Sequence, residues 1–361
     1  LGITSMIENT LPIDPDKDAE LKAPIRRLKW ALIVIFALAA LSLVYSGWWL
    51  IVASKFEKSV DIWIEQQRDQ GILITYKKRS RTGFPYSVQL TVLAPHLEKP
   101  NQIGGSWSSE TLKLSLKPWA FNTLEFDLSG QHQWKLNKQT GVQTFEGNAE
   151  KWRGIVVLKG SVVDQAIVSL FDFEINDLSA NDTFQITETE ISLRDISSDV
   201  LSFKIRIRDM EMPERVQSPL GRNVRHIDAK GDVTGRFQMG RWSDVLASWR
   251  DGGGTVDFKS LDIDYPPLRI RGDGTLALDS QMQPVGAFAV KAGGVFATID
   301  ALYNKGLIPI GTSFATKIAL GVLSKKSEDG KNSYLDMSLT LQDRTFYAGT
   351  LKLLKLAPTR W

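Results

Sequence analysis

Three histidines, His96, His132 and His226, are the only imidazoles in the chain, and none has a second metal-binding residue at ligand spacing. Each is read as a polar surface or turn residue. Cysteine is absent, which removes disulfides, thiolate metal sites, a thiol nucleophile and a lipid-modified N-terminal cysteine. Asp251-Gly252-Gly253-Gly254 and Gly272-Asp273-Gly274 have the glycine content of a phosphate loop. Neither follows a strand and opens a helix, so their backbone N–H groups would not converge on a phosphate. The run Asp257, Asp262, Asp264 places two carboxylates on one face of a strand, but a calcium site needs more ligands and a tighter loop. No G-x-S-x-G elbow, no S-x-x-K with partners and no phosphate-loop Lys-Ser/Thr occurs. The expectation is a chain without catalytic residue, metal or cofactor. A hydrolase whose two carboxylates come from distant strands would leave no such trace, and it stands as the enzymatic alternative.

Nucleic acid is excluded as a partner on charge. The 44 basic residues are nearly cancelled by 41 acidic ones, leaving +3, and the 11 tryptophans are scattered without a basic groove beside them. Hydrophobic residues at 43% and charged residues at 24% provide for a sizeable core.

One element needs no packing partner to be recognised. From Trp30 to Ser54 no residue is charged. About 24 residues at ~1.5 Å each give ~36 Å, enough to cross a hydrocarbon core of ~30 Å with some tilt. Residues 30–53 are therefore read as a transmembrane helix, with Phe36 and Leu43 in its lipid-facing middle. Trp30 at one end and Tyr45, Trp48 and Trp49 at the other stand at belt positions. A cleaved signal peptide is the rival reading, with Val52-Ala53-Ser54 as its cleavage site, and Trp48-Trp49 argues against it. Lys22, Arg26, Arg27 and Lys29 precede the span, against Lys55, Lys58 and Arg68 after it. This bias favours a cytoplasmic N-terminus and an exported body, hence an inner-membrane, single-pass protein with its body in the periplasm. Residues 1–29, rich in acids and prolines, read as a disordered tail.

Residues 54–71 follow as an amphipathic connector helix, with Phe56, Val60, Trp63, Ile64 and Gln67 at helical spacing and Gly71 as its stop. From residue 72 the period changes to two. ILITYKK, YSVQLTVL, ETLKLSL, TFQITETEISL, LSFKIRIRDM and LRIRGDGTLALD alternate apolar with polar positions between short turns. The fold class expected is mainly β (α+β): a large, curved antiparallel sheet over 72–361, buried on one face and polar on the other. SDVLASWRDGGG reads as a helix stopped by glycines, and VFATIDALYNKG with TSFATKIALGVLSKK as a helical hairpin broken at Gly306, Pro309 and Gly311. A division into two lobes near 210–225, at MPERVQSPLGRN, stays open beside a single sheet.

Besides the single N-terminal span, three segments carry a resemblance. RTGFPYSVQLTV, with Gly83, Phe84 and Pro85, followed by the tripeptide Lys117-Pro118-Trp119, is similar to a bacterial envelope family. So is the stretch from Trp249 to Gly294, which holds Gly272, Gly274, Pro284 and Gly286. That family is known as domain of unknown function twenty-one twenty-five. The glycine-rich strand pair within the Trp249–Gly294 stretch also resembles AsmA-like envelope proteins, whose elongated sheets are associated with lipid movement. The first resemblance implies location and architecture and supplies no catalytic residue. Together these readings lead to a non-enzymatic, membrane-anchored envelope protein that binds lipid or another hydrophobic molecule on its sheet. The alternative is an interaction scaffold for other envelope proteins.

Overall fold

A computed structural model of the chain describes residues 15–100, 104–138, 141–160, 162–216, 218–235, 237, 242–306, 325–326, 333–349 and 351–359. The chain forms two units, 1–57 and 58–361. The first is the apolar part of helix α1 (Pro15–Asp69), which contains a segment long and apolar enough to cross a membrane. The helix differs from expectation in three ways. It begins at Pro15, so of the tail read as disordered over 1–29, residues 15–29 are helical, while 1–14 lie outside the described residues. Ala19, Glu20, Leu21 and Lys22 are strong helix formers, and a proline is pre-set for a first helical position. Next, no break separates span from connector, because between Gly47 and Asp69 the sequence has no glycine or proline to make one. Finally, Trp49 is only 6% exposed, whereas Trp30, Phe36, Leu43 and Trp48 are exposed and Tyr45 is half-buried. Trp49 shares this burial with Val52, Ala53 and Phe56, three and four residues apart along one stripe of the helix, and with Ile64 eight residues further on. Trp63, assigned to that stripe from sequence, is exposed.

The helix stops as its sequence requires. Gly71 adopts φ 79°, its N–H donates to Arg68 and the N–H of Ile72 to Gln67, which satisfies two end carbonyls in a Schellman turn. The chain then reverses into a sheet in which each strand pairs antiparallel with the one before it. The strands are β1 (Leu73–Thr75 with Lys78–Thr82), β2 (Val88–Leu93 with His96–Lys99), β3 (Gly105–Ser109 with Thr111–Lys117) and β4 (Ala120–Asp127 with Gly130–Lys138). They continue with β5 (Gly141–Lys159), β6 (Val162–Asp177), β7 (Asp182–Arg194), β8 (Val200–Glu211) and β9 (Asn223–Thr234). Helix α2 (Trp242–Asp251) leads to β10 (Thr255–Tyr265), β11 (Leu268–Leu278) and β12 (Pro284–Gly293). After α3 (Val295–Asn304) come β13 (Ser333–Gln342), which pairs with β12, then β14 (Thr345–Ala348) and β15 (Leu351–Lys355). The ladder runs straight through the possible lobe boundary, since β8 and β9 pair from Val200↔Thr234 to Glu211↔Asn223. Of the expected helical hairpin, residues 307–324, with Pro309 and Gly311, lie outside the described residues, while Lys325–Lys326 pair as a short strand with β13 instead of continuing a helix.

The curvature has a local cause. β2, β3 and β4 are interrupted at 94–95, at Glu110 and at 128–129, while Glu150, Asp172, Thr187 and Asp209 are the positions missing from the next ladders. Ala94, Gly130, Asp172 and Asp209 have positive φ there. A left-handed residue inside a strand turns the side-chain alternation over and bends the strand. In β5 the inward positions accordingly change from Phe145, Gly147 and Ala149 to Trp152, Gly154 and Val156. Side by side, these interruptions draw one crease across the sheet, and short acidic side chains tolerate its geometry on the outer side of the bend.

Candidate functional site

Directly opposed residues of an antiparallel pair share a face, so the register reads out what lines the sheet. One row runs Leu90, Leu114, Phe126, Gly154, Val168, Ile191, Ile205, Ala229, Leu261, Gly272, Val290, Met337. The next, beginning in β6, runs Leu170, Thr189, Ile207, Ile227, Ile263, Ile270, Ala292, Leu335. These two rows are apolar from strand to strand with Thr189 as their one polar break. At the β2 end Val88 and Leu90 are fully buried, and at the other end α3 closes over it, with Ile299 against Leu335. Between these ends Ile191, Ile205, Ile207, Ile227, Ile263 and Ile270 are only half-buried.

Glycines flatten this floor. A Cβ on Gly154 would lie 2.2 Å from the Phe126 ring, one on Gly231 2.9 Å from Phe203, and one on Gly274 2.3 Å from Phe288. Each ring lies across the neighbouring strand's glycine, and Phe203, Phe258 and Phe288 form a chain of aromatic contacts at 5.6 and 6.0 Å. Gly272, Gly274 and Gly286 are therefore floor residues in extended strands, and Gly272-Asp273-Gly274 is no loop at all.

The outer face of the same strands is ionic. Arg206 reaches Glu190 at 3.6 Å and Asp228 at 3.8 Å, and Arg208 grips Asp228 with two hydrogen bonds of 2.8 and 3.0 Å. Asp262 accepts from Arg271 at 2.9 Å and pairs with His226 at 3.1 Å, while Asp264 lies 3.4 Å from Arg269. Asp257 accepts from the Thr275 hydroxyl at 2.7 Å. Asp257, Asp262 and Asp264 are thus each matched by a donor on a neighbouring strand, and among the described residues no three His, Asp or Glu side chains converge as metal ligands would. A shallow hollow of about 560 Å³ on this side is edged by Asp273, Lys291 and Asp336.

His132 corrects the sequence reading. It is 3% exposed, not a surface residue, and neither ring nitrogen makes a well-formed hydrogen bond, the Leu128 carbonyl offering only a weak one. Trp107 and Trp134 stack on it at 5.9 and 5.5 Å, Trp152 meets it at 4.8 Å, and Phe173 closes the cluster against both Trp134 and Trp152. Burial pushes its pKa below the usual imidazole value. Of the other two histidines, His226 is a half-buried member of the ionic face, and His96 sits 3.7 Å from Glu98 on β2.

The remaining family-like residues fall into three places. Gly83, Phe84 and Pro85 form the β1–β2 turn, and Pro118 and Trp119 the β3–β4 turn. Val88 pairs with Leu116, so the two turns are neighbours at one end of the sheet. Pro118 is fully buried there, whereas Trp119 is exposed. Trp249 is buried on α2, donates to the Thr234 carbonyl at 2.8 Å and stacks on Phe237. Gly254 packs against its indole, which explains Asp251-Gly252-Gly253-Gly254 as a helix stop with no room for a Cβ. Pro284 opens β12 opposite Leu278. Sequence reasoning missed the aromatic cluster around His132 and the loop latch at Asp177 and Asp182. There the Glu214 and Arg215 N–H groups donate to Asp182, and the Arg215 guanidinium pairs with Asp177.

An N-terminal apolar helix and an open antiparallel sheet with one apolar and one ionic face define a sheet protein with a candidate membrane anchor. Residues 49–357 match the family described as "Uncharacterized protein conserved in bacteria (DUF2125)", and the chain belongs to it. No curated protein matches the chain. No solved structure matches it either, so the AsmA-like resemblance has no counterpart among the comparisons.

Proposed function

We propose that this protein is a single-pass inner-membrane protein whose sheet, on the periplasmic side, holds the acyl chain of a lipid or a comparable hydrophobic molecule, and that it acts by binding rather than by catalysis. The observation that carries this reading is the half-buried isoleucine floor of β7–β11. A soluble sheet whose inner face only had to complete a core would bury those side chains as fully as Val88 and Leu90 are buried. Placing ~25 cal/mol per Å² of newly covered apolar surface gives an alkyl chain a strong reason to lie along such a floor. The flanking charges Lys22, Arg26, Arg27 and Lys29 support the orientation, by the positive-inside bias.

Native mass spectrometry of the full chain released from bacterial membranes in mild detergent tests the proposal. A lipid retained at one per chain, and lost in the Ile205→Asp variant, is the expected result. A full chain carrying no lipid, or carrying it equally in the variant, overturns the floor as a binding site and leaves the scaffold role as the better reading.

A further inference from the structure

The β1–β2 and β3–β4 turns share an unusual surface. Tyr86 is 76% exposed, Phe121 66%, Trp119 62% and Phe84 55%, three large rings on two adjacent turns and a fourth, Phe121, at the start of β4 beside them. The basic residues Arg81 and Lys117 lie on the same segments, and from Lys77 to Pro95 and from Thr111 to Leu124 the sequence contains no acid. Exposed aromatics with amphipathic or flat rings beside Lys and Arg are the composition of surfaces that settle at the headgroup level of a bilayer.

The fold of the second unit puts this surface at the end where the chain enters. That unit starts at Lys58. Three residues on, Asp61 accepts two hydrogen bonds from Arg79, at 2.5 and 3.2 Å. Arg79 lies on β1, whose far end at Leu73 abuts the helix stop and whose near end at Thr82 leads straight into the Phe84–Tyr86 turn. The helix and β1 therefore run antiparallel, and the aromatic turns project toward the side from which the chain arrives. Ser54, the last residue of the uncharged run, is four residues before Lys58 in the sequence.

We infer that the two turns form a foot that rests in the interface of the bilayer to which the chain is tethered, with Trp119, Phe121 and Tyr86 at headgroup depth and Arg81 and Lys117 toward anionic phosphates. The inference rests on the membrane-anchor reading and is independent of the apolar floor. The foot gives the sheet a fixed stance over the membrane surface, which a single helix alone would leave free to swing.

The absence of cysteine makes the test direct. Single-cysteine full-length variants Tyr86→Cys and Phe121→Cys carry an environment-sensitive fluorophore, with Ala180→Cys, on the exposed β6–β7 turn at the opposite end of the sheet, as reference. All are reconstituted into vesicles of phosphatidylethanolamine and phosphatidylglycerol, with and without headgroup-proximal doxyl lipid. The expected result is blue-shifted emission and roughly twofold quenching at positions 86 and 121 and none at 180. Labels at 86 and 121 as water-exposed as the one at 180, on protein that floats with the vesicles, overturn the foot and leave the anchor standing. Protein that fails to float overturns both.

Discussion

Replacing His132 by phenylalanine should stabilise the protein. The imidazole is stacked among Trp107, Trp134 and Trp152, and its buried nitrogens make no well-formed hydrogen bond, the Leu128 carbonyl offering one of them a weak one. An unsatisfied buried polar atom costs ~1–3 kcal/mol, and a phenyl ring keeps the stacking while removing at least one such atom. The phenyl ring is one atom larger, and overpacking takes back ~1 kcal/mol. A net gain of up to ~2 kcal/mol is the expectation at neutral pH. The pH dependence separates this cause from a packing effect. Burial lowers the folded-state pKa of His132 beneath its unfolded value near 6.5, so the unfolded chain binds the proton first. Wild-type stability is therefore complete above about 6.5 and falls as pH drops toward the folded-state value, by up to ~1.4 kcal/mol per pH unit. In His132→Phe this particular slope disappears, so the advantage of the variant widens below pH 6.5. Urea denaturation of the full chain in detergent, followed by tryptophan fluorescence at pH 7.5 and 5.5, reads both quantities, since three of the reporting indoles touch the site. A variant less stable than wild type at pH 7.5, or an advantage that does not grow at pH 5.5, would refute the reasoning.

Two further outcomes follow from the packing. Gly274→Val puts side-chain atoms where the Phe288 ring lies 2.3 Å away and the Ala287 carbonyl 2.5 Å away, so it should destabilise the sheet by ~1–3 kcal/mol or more, read as a lower urea midpoint. Arg215→Ala should loosen the 212–222 loop and make the protein more acid-sensitive. In wild type, burial raises the pKa values of Asp177 and Asp182, but hydrogen bonds from Arg215, Gln143 and backbone N–H groups outweigh it and hold both below the usual carboxylate value. Their contribution is present above about pH 4 and is lost as pH falls through the lowered values. The variant gives up the guanidinium's share of it, which faster amide exchange at Glu214–Val216 would show.

Much of the architecture was legible because it depends on local pattern. A run without charge from Trp30 to Ser54 can only be an unusual helix, and alternation in LSFKIRIRDM or TFQITETEISL fixes which side chains share a face. What stayed hidden depends on pairing. His132 was misread because GQHQWKL looks polar. Yet His132 shares its parity with Gly130 and Trp134, and Gln131 and Gln133 point the other way. The crease could not be seen, since Asp172 and Asp209 look like any exposed aspartate until the ladders on either side skip the same line. Trp49 was masked by its surroundings: in a helix apolar on every side, a packing stripe has no contrast. The floor itself was half legible. Its isoleucines were assigned to a buried face, but only register shows that they form rows across β7–β11 and that these remain half-buried.

The most direct test of the central claim is photocrosslinking in living bacteria with p-benzoylphenylalanine placed at Ile227 on the floor and, separately, at Lys230 on the ionic face, three residues along β9. Lipid covalently attached at 227 and absent at 230 is the expected result. Equal lipid labelling at both positions, or crosslinks from 227 only to the protein's own chain, would contradict the account.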